Sequence, residues 1–240
     1  MKNHVLTIVH LYPKDMNLYG DTGNRLVLER RLAWRGLEYR VVEVSVGDKL
    51  PHNADIIIGG GGQDASQGEI EQDFLKRTDE LRRLTEDGAV MLMICGMYQL
   101  LGRKFVTHEG VEIHGAGILP VDTYAKKKRL IGNISVEIDG VGVVVGYENH
   151  SGQTFLDSGV RPLGKVLRGV GNNEDTGTEG CRYRNIFATY MHGPVLAKNP
   201  ELADLLIQLA YARNGHDMKL SPLNDELEHT ARKIALTRPR

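Results

Sequence analysis

Short apolar runs alternate with amphipathic stretches through the first hundred residues. Residues 5–11 form an apolar run suited to a buried strand. Asp21 or Thr22 then offers a helix cap, a helical stretch runs through Trp34, and Gly36 is placed to stop it. Residues 39–46 are β-branched and strand-like. Residues 54–58 read as a third buried strand, ending in Gly59-Gly60-Gly61-Gly62. From 69 to 86 the apolar side chains Ile70, Phe74, Leu81 and Leu84 recur at helical spacing, and Gly88 closes the helix. Residues 89–94 form another apolar strand that delivers Cys95 at its end. This alternation predicts an α/β fold: a mainly parallel sheet covered by helices on both faces.

The pattern changes between residues 111 and 170. Short β-rich stretches, such as 133–138 and 141–145, are separated by glycines, which predicts an antiparallel insertion or edge. Residues 171–180 are polar, acidic and glycine-rich and read as a mobile loop. Residues 185–190 form a strand leading into His192, and Pro200 opens a helix to about Arg213. With no internal repeat and no low-complexity linker, one domain over residues 1–214 is expected. Residues 215–240 then form a polar tail with one amphipathic stretch, 223–236.

Composition narrows the class without naming it. The chain has 240 residues, enough for a sizeable core, with 41% hydrophobic and 25% charged residues. A formal net charge of -1 gives no ground for general nucleic-acid or membrane attraction. The start of the chain lacks a signal-peptide profile, and no apolar run reaches the roughly 20 residues that span a bilayer. Of the two cysteines, Cys95 and Cys181, neither lies in a CxxC pair, and the nine histidines include no HExxH, so neither disulfide framework nor metal site is expected. A cytoplasmic protein in a reducing compartment is the expectation.

Three segments could carry chemistry. In Leu92-Met93-Ile94-Cys95-Gly96-Met97-Tyr98-Gln99 an apolar strand meets a Cys, a Gly and a helix-like stretch, the layout of a nucleophile elbow. The positive end of a helix favours a thiolate there; the plainer reading is a buried structural Cys. In Thr189-Tyr190-Met191-His192-Gly193-Pro194 a second strand end carries a histidine, and strand ends of a parallel sheet converge on one edge. A Cys–His pair brought together there could hold a thiolate and later protonate a leaving amine. The glycines ending in Gln63-Asp64 match neither GxxxxGK[ST] nor GxGxxG. The backbone N–H groups of Gly60, Gly61 and Gly62, with that of Met97, instead suit an oxyanion hole. Cys181 reads as incidental, the run Lys126-Lys127-Lys128-Arg129 as a solvated loop, and His150 as hydrogen-bonded structure rather than a catalyst.

These motifs together resemble class I glutamine amidotransferases of the cobyric-acid-synthase-like branch, which Glu148-Asn149-His150-Ser151-Gly152 also fits. Asn17-Leu18-Tyr19-Gly20-Asp21-Thr22-Gly23-Asn24 and Arg129-Leu130-Ile131-Gly132-Asn133 are similar to the glutaminase subunits of lipid II isoglutaminyl synthases. The resemblance covers residues 4 to about 213. It implies a flavodoxin-like fold, a thioester on Cys95 with His192 as base, and glutamine cleaved to glutamate and ammonia. It makes Arg129 a binder of glutamine, in keeping with the bidentate grip of a guanidinium on a carboxylate. It also implies a Mur-ligase-like partner, holding ATP and Mg, that amidates the D-glutamate α-carboxylate of lipid II. This chain itself is expected to hold no cofactor.

One departure stands out. Many class I glutaminases carry a Glu two residues after the His, and Pro194 occupies that position here. No third acid is assignable from sequence; a dyad, or an acid from the partner, is the expectation. Three other readings stay open: a glutaminase serving a corrinoid-type synthetase, a γ-glutamyl hydrolase or cysteine peptidase, and a catalytically silent binding subunit.

Overall fold

The computed structural model describes residues 4–238. Its first strands are those the apolar runs predict: β1 (Leu6–Leu11), β2 (Tyr39–Val44), β3 (Ile56–Gly59) and β4 (Val90–Ile94). Helix α1 (Thr22–Trp34) connects β1 to β2, and Gly36 follows it at φ 63°. Two helices, α2 (Asp64–Lys76) and α3 (Thr78–Glu86), stand where the periodicity predicts one. The break lies at Arg77, whose guanidinium is drawn inward by Asp73, the Tyr12 hydroxyl and the carbonyls of Ser45 and Asp48. Satisfying that nearly buried cation outweighs continuing a straight helix. The short α4 (Gly96–Leu101) follows Cys95.

The glycine-punctuated region is a second sheet. Its strands are β5 (Lys104–Val106), β6 (Glu112–His114), β7 (Val121–Ile138), β8 (Gly142–Leu156), β9 (Gly164–Arg168) and β10 (Thr178–Glu179). The stretches expected as separate pieces are the two arms of one long antiparallel hairpin, β7–β8. Its glycines mark close approaches more than breaks. A Cβ on Gly146 would stand 2.7 Å from Met191 Cβ, and one on Gly152 would stand 2.5 Å from Gln99 Nε2.

Two more strands, β11 (Cys181–Tyr183) and β12 (Ile186–Thr189), return the chain to the first sheet. That sheet has the order β11-β12-β4-β3-β1-β2, with β11 the one antiparallel edge. Its central strands β1, β3, β4 and β12 are buried throughout, as sheets flanked by helices require. Residues 171–180, expected as a mobile loop, are pinned. Asn172 Oδ1 accepts from Gly180 N–H, its Nδ2 donates to Gly180 O, and Asn173 Nδ2 donates to Thr154 O. Buried asparagines that satisfy backbone groups turn a polar glycine-rich run into fixed structure.

A 3-10 turn, Val195–Lys198, leads into α5 (Pro200–Arg213), and α6 (Glu226–Thr237) lies near the C-terminus. Arg31 on α1, almost fully buried, grips Asp204 of α5 and Asp225, the residue before α6, through four bonds of 2.6–3.0 Å. The polar tail is thereby tied to both helices. Among the described residues no helix is long and apolar enough to cross a membrane.

Candidate active site

β4 delivers Cys95 to a turn with φ 52° and ψ −104°, a region non-glycine residues avoid. Such a conformation costs about 1–3 kcal/mol and persists only when its surroundings over-determine it. Here Cys95 N–H donates to Thr189 O at 2.8 Å, and Cys95 O accepts the first turn of α4 from Gln99 N–H. The next residue, Gly96, sits close under its neighbours: a Cβ there would stand 2.7 Å from Met16 Cε and 3.1 Å from the Gln67 amide.

His192 lies just beyond β12, and its backbone is held from the other sheet. His192 N–H donates to Tyr147 O at 2.8 Å and Tyr147 N–H donates back to His192 O at 3.1 Å. Glu179 fixes the approach to it, accepting from the Thr189 hydroxyl and Tyr190 N–H. The ring packs against Tyr19 with centroids 4.2 Å apart. Cys95 and His192 meet over Gly61, where a Cβ would stand 2.8 Å from His192 Cε1 and 3.3 Å from Cys95 Cβ.

Behind His192 stands an acid that local sequence reading leaves unassigned. Asp21 is fully buried; its Oδ2 lies 3.6 Å from His192 Nδ1 and accepts Gly61 N–H at 2.8 Å. Asp21 precedes α1 but makes no side-chain cap, because its carboxylate turns to the site instead. Pro194 takes part in this placement. It packs so closely on Gly23 that a Cβ there would stand 2.2 Å from Pro194 Cγ, which brings the start of α1 beside the histidine segment.

The glycine loop serves the site unevenly. Gly62 lines the cavity, while Gly61 N–H is already donated to Asp21. Gly60 is packed under Met16 O, 2.2 Å from where its Cβ would be, and Met97 lies in the first turn of α4 with its side chain beneath Gly59. The cavity over Cys95 holds about 380 Å³. Arg129 lines it from the irregular stretch of β7 between Ala125 and Leu130, braced by Nε and Nη2 bonds to Asn149 Oδ1 and O. Its neighbours Lys126 and Lys128 turn outward to Glu174.

Charge in the site is polarised. Burial alone would lower the His192 pKa, but the negative charges of Cys95 and Asp21 hold it well above the ordinary histidine range. The imidazolium form of His192 is therefore favoured beside Cys95, where it can hold the anionic sulfur that acyl transfer uses. Burial pushes the Cys181 thiol, on edge strand β11, up to about 12, leaving it a poor nucleophile.

A strained cysteine at a strand-to-helix turn, with a histidine just beyond the neighbouring strand and a carboxylate from the segment before α1, defines a class I glutaminase-type site. Residues 7–200 match the CobB/CobQ-like glutamine amidotransferase domain, and the chain belongs to that family of glutamine amidotransferases. It is 39% identical over 236 residues to the lipid II isoglutaminyl synthase (glutamine-hydrolyzing) subunit GatD of Staphylococcus aureus strain N315, covering 98% of this chain and 96% of that one. The namesake subunit of Streptococcus pneumoniae strain R6 is 38% identical, with coverages of 92% and 87%. In fold the chain is similar to the structure of PurLQS from Thermotoga maritima, with a TM-score of 0.61 at 15% identity, over 87% of this chain and 99% of that one.

Proposed function

We propose that this chain hydrolyses L-glutamine through a Cys95 thioester and passes the ammonia to a Mur-ligase-like partner. The observation that carries the chemistry is the convergence of Cys95, His192 and Asp21 around Gly61. Cys95 Sγ attacks the side-chain amide carbon. The C–N bond breaks as the imidazolium of His192 gives its proton to the leaving nitrogen, and ammonia departs. His192, now neutral, takes a proton from water, whose oxygen attacks the thioester; glutamate leaves and the thiolate–imidazolium pair returns. Asp21, with Oδ2 3.6 Å from Nδ1, steadies the imidazolium through its negative charge. Arg129 holds the substrate carboxylate. Gly62 N–H and Met97 N–H are the donors for the oxyanion.

The partner reading is supported by the names of the staphylococcal and streptococcal relatives, each a glutamine-hydrolysing subunit of lipid II isoglutaminyl synthase. On that reading a Mur-ligase-like subunit, with ATP and Mg, activates the D-glutamate α-carboxylate of lipid II in the cytoplasm, and ammonia from this chain converts it to D-isoglutamine. The test is amidation of lipid II by the co-purified complex with two nitrogen sources. A Cys95→Ala complex is expected to lose glutamine-driven amidation at least a hundredfold while still using added ammonium salt. Glutamine-driven amidation without this chain would remove the cell-wall role; unimpaired glutamine hydrolysis by Cys95→Ala would remove the chemistry.

A further inference from the structure

His150, which lines the cavity over Cys95, carries a buried acceptor that the reaction above leaves unused. His150 Nδ1 lies 2.6 Å from Gly152 O, and a carbonyl can only accept, so the proton sits on Nδ1 and Nε2 carries a lone pair. The ring lies flat on Tyr190, with centroids 3.7 Å apart and planes 7° from parallel. Tyr190 is itself fixed by hydrogen bonds with Gln99 and Thr154. Orientation and tautomer are thus set from two sides. His150 is 1% exposed, lines the cavity, and its Nε2 has no partner among the described residues. Gln67 Oε1, in the same wall, is equally buried and unpartnered. Asp64 adds a carboxylate to the lining, so three acceptors, His150, Gln67 and Asp64, share the cavity with the Arg129 cation.

Unpaired buried acceptors are rare and ask for a donor. Glutamine brings one with three N–H bonds, its α-ammonium, on the same carbon as the carboxylate assigned to Arg129. We propose that His150 Nε2, helped by Gln67 Oε1, receives the α-ammonium of glutamine and makes the site reject amides that lack it. The proposal rests on the glutaminase reading and assigns His150 to substrate choice rather than to proton transfer. Burial holds its pKa at about 3, so it stays an acceptor at any pH where the enzyme would work.

Binding to the full-length Cys95→Ala chain tests this by calorimetry, with glutamine and with glutaramate, which is glutamine without its α-amino group. Glutamine is expected to bind at least tenfold tighter. Adding His150→Phe, which keeps a flat ring on Tyr190, should erase most of that preference by weakening glutamine. An equal weakening of both compounds would assign His150 to structure and overturn the proposal, as would an unchanged preference. A second readout needs no variant at His150: the ¹⁵N resonance of the unprotonated Nε2 should move upfield with glutamine and stay put with glutaramate. Movement with both, or with neither while glutamine binds, would also overturn it. Absence of glutamine binding together with absence of hydrolysis by the unaltered chain would bring down the glutaminase reading itself, a result distinct from all of these.

Discussion

Asp21 is where a single residue's role depends on distance along the chain. Locally it is a helix-capping aspartate in front of α1, and nothing within a few residues ties it to His192. Cys95 and His192 were legible because each ends an apolar strand in a pattern that strands of a parallel sheet bring to one edge. The acid comes instead from a loop packed across that edge, and Pro194, which removes the expected glutamate, is part of what packs it there. The role in sequence of the Gly60-Gly61-Gly62 run was similarly blurred, since only folding reveals that Gly61 N–H is committed to Asp21. Replacing Asp21 by Asn keeps size and removes charge. We expect kcat to fall by about 10²-fold or more, as when a histidine loses its orienting carboxylate. The sign of the pH effect follows from the same charge: it raises the His192 pKa, so its loss lets imidazolium deprotonate sooner. The alkaline limb of kcat/KM against pH should move to lower pH. An unmoved limb with unchanged kcat would leave His192 working without Asp21.

At the scale of elements, periodicity found the strands and most helices, and it failed where a buried polar group overrode it. Arg77 splits a helix, and Asn172 and Asn173 convert an expected loop into a clamp. Glu179 is another buried polar group, beneath the strand end that carries His192. Burial, with the nearby charge of Glu148, raises its pKa from 4.5 to about 7, against hydrogen bonds from Thr189 and Tyr190 that lower it. A carboxyl raised on folding binds its proton more tightly in the native state. Its contribution to stability is complete below pH 4.5 and lost as pH rises through 7. The loss amounts to about 3 kcal/mol. Calorimetry of the chain between pH 5 and 7.5 should therefore show a falling melting temperature, and Glu179→Gln should flatten that slope. Parallel curves for the two proteins would place the titration elsewhere.

Across the whole molecule the chain closes on itself through Arg31. One cation, buried between α1 and α5, holds both Asp204 and Asp225, so the C-terminal segment is fastened to the helix that begins beside the active site. The tail's polarity was visible in sequence, but its anchorage was not, because the partners are almost two hundred positions apart. Removing Arg31 leaves Asp225 without the guanidinium that holds it, while Asp204 keeps Arg35, at a cost of about 2 kcal/mol. Arg31→Met should lower the denaturation midpoint accordingly and expose residues 214–225 to limited proteolysis before the rest of the chain. Cleavage that stays at the wild-type rate would mean that α6 is held by other contacts, such as Arg232 with Glu201.

The pairing of Tyr147 with His192 gives the two halves of the proposed catalytic pair different moorings. Cys95 is bolted to the parallel frame through Thr189, whereas the base is hitched partly to β8 of the long hairpin. The same hairpin carries Arg129 and His150 a few residues away. Any sliding of that ribbon would therefore displace recognition and base together, leaving the nucleophile in place but alone. Such a joint would act as a clutch: engaged, it would align every group around one carbon; slipped, it would leave a folded protein with a thiol and nothing to drive it.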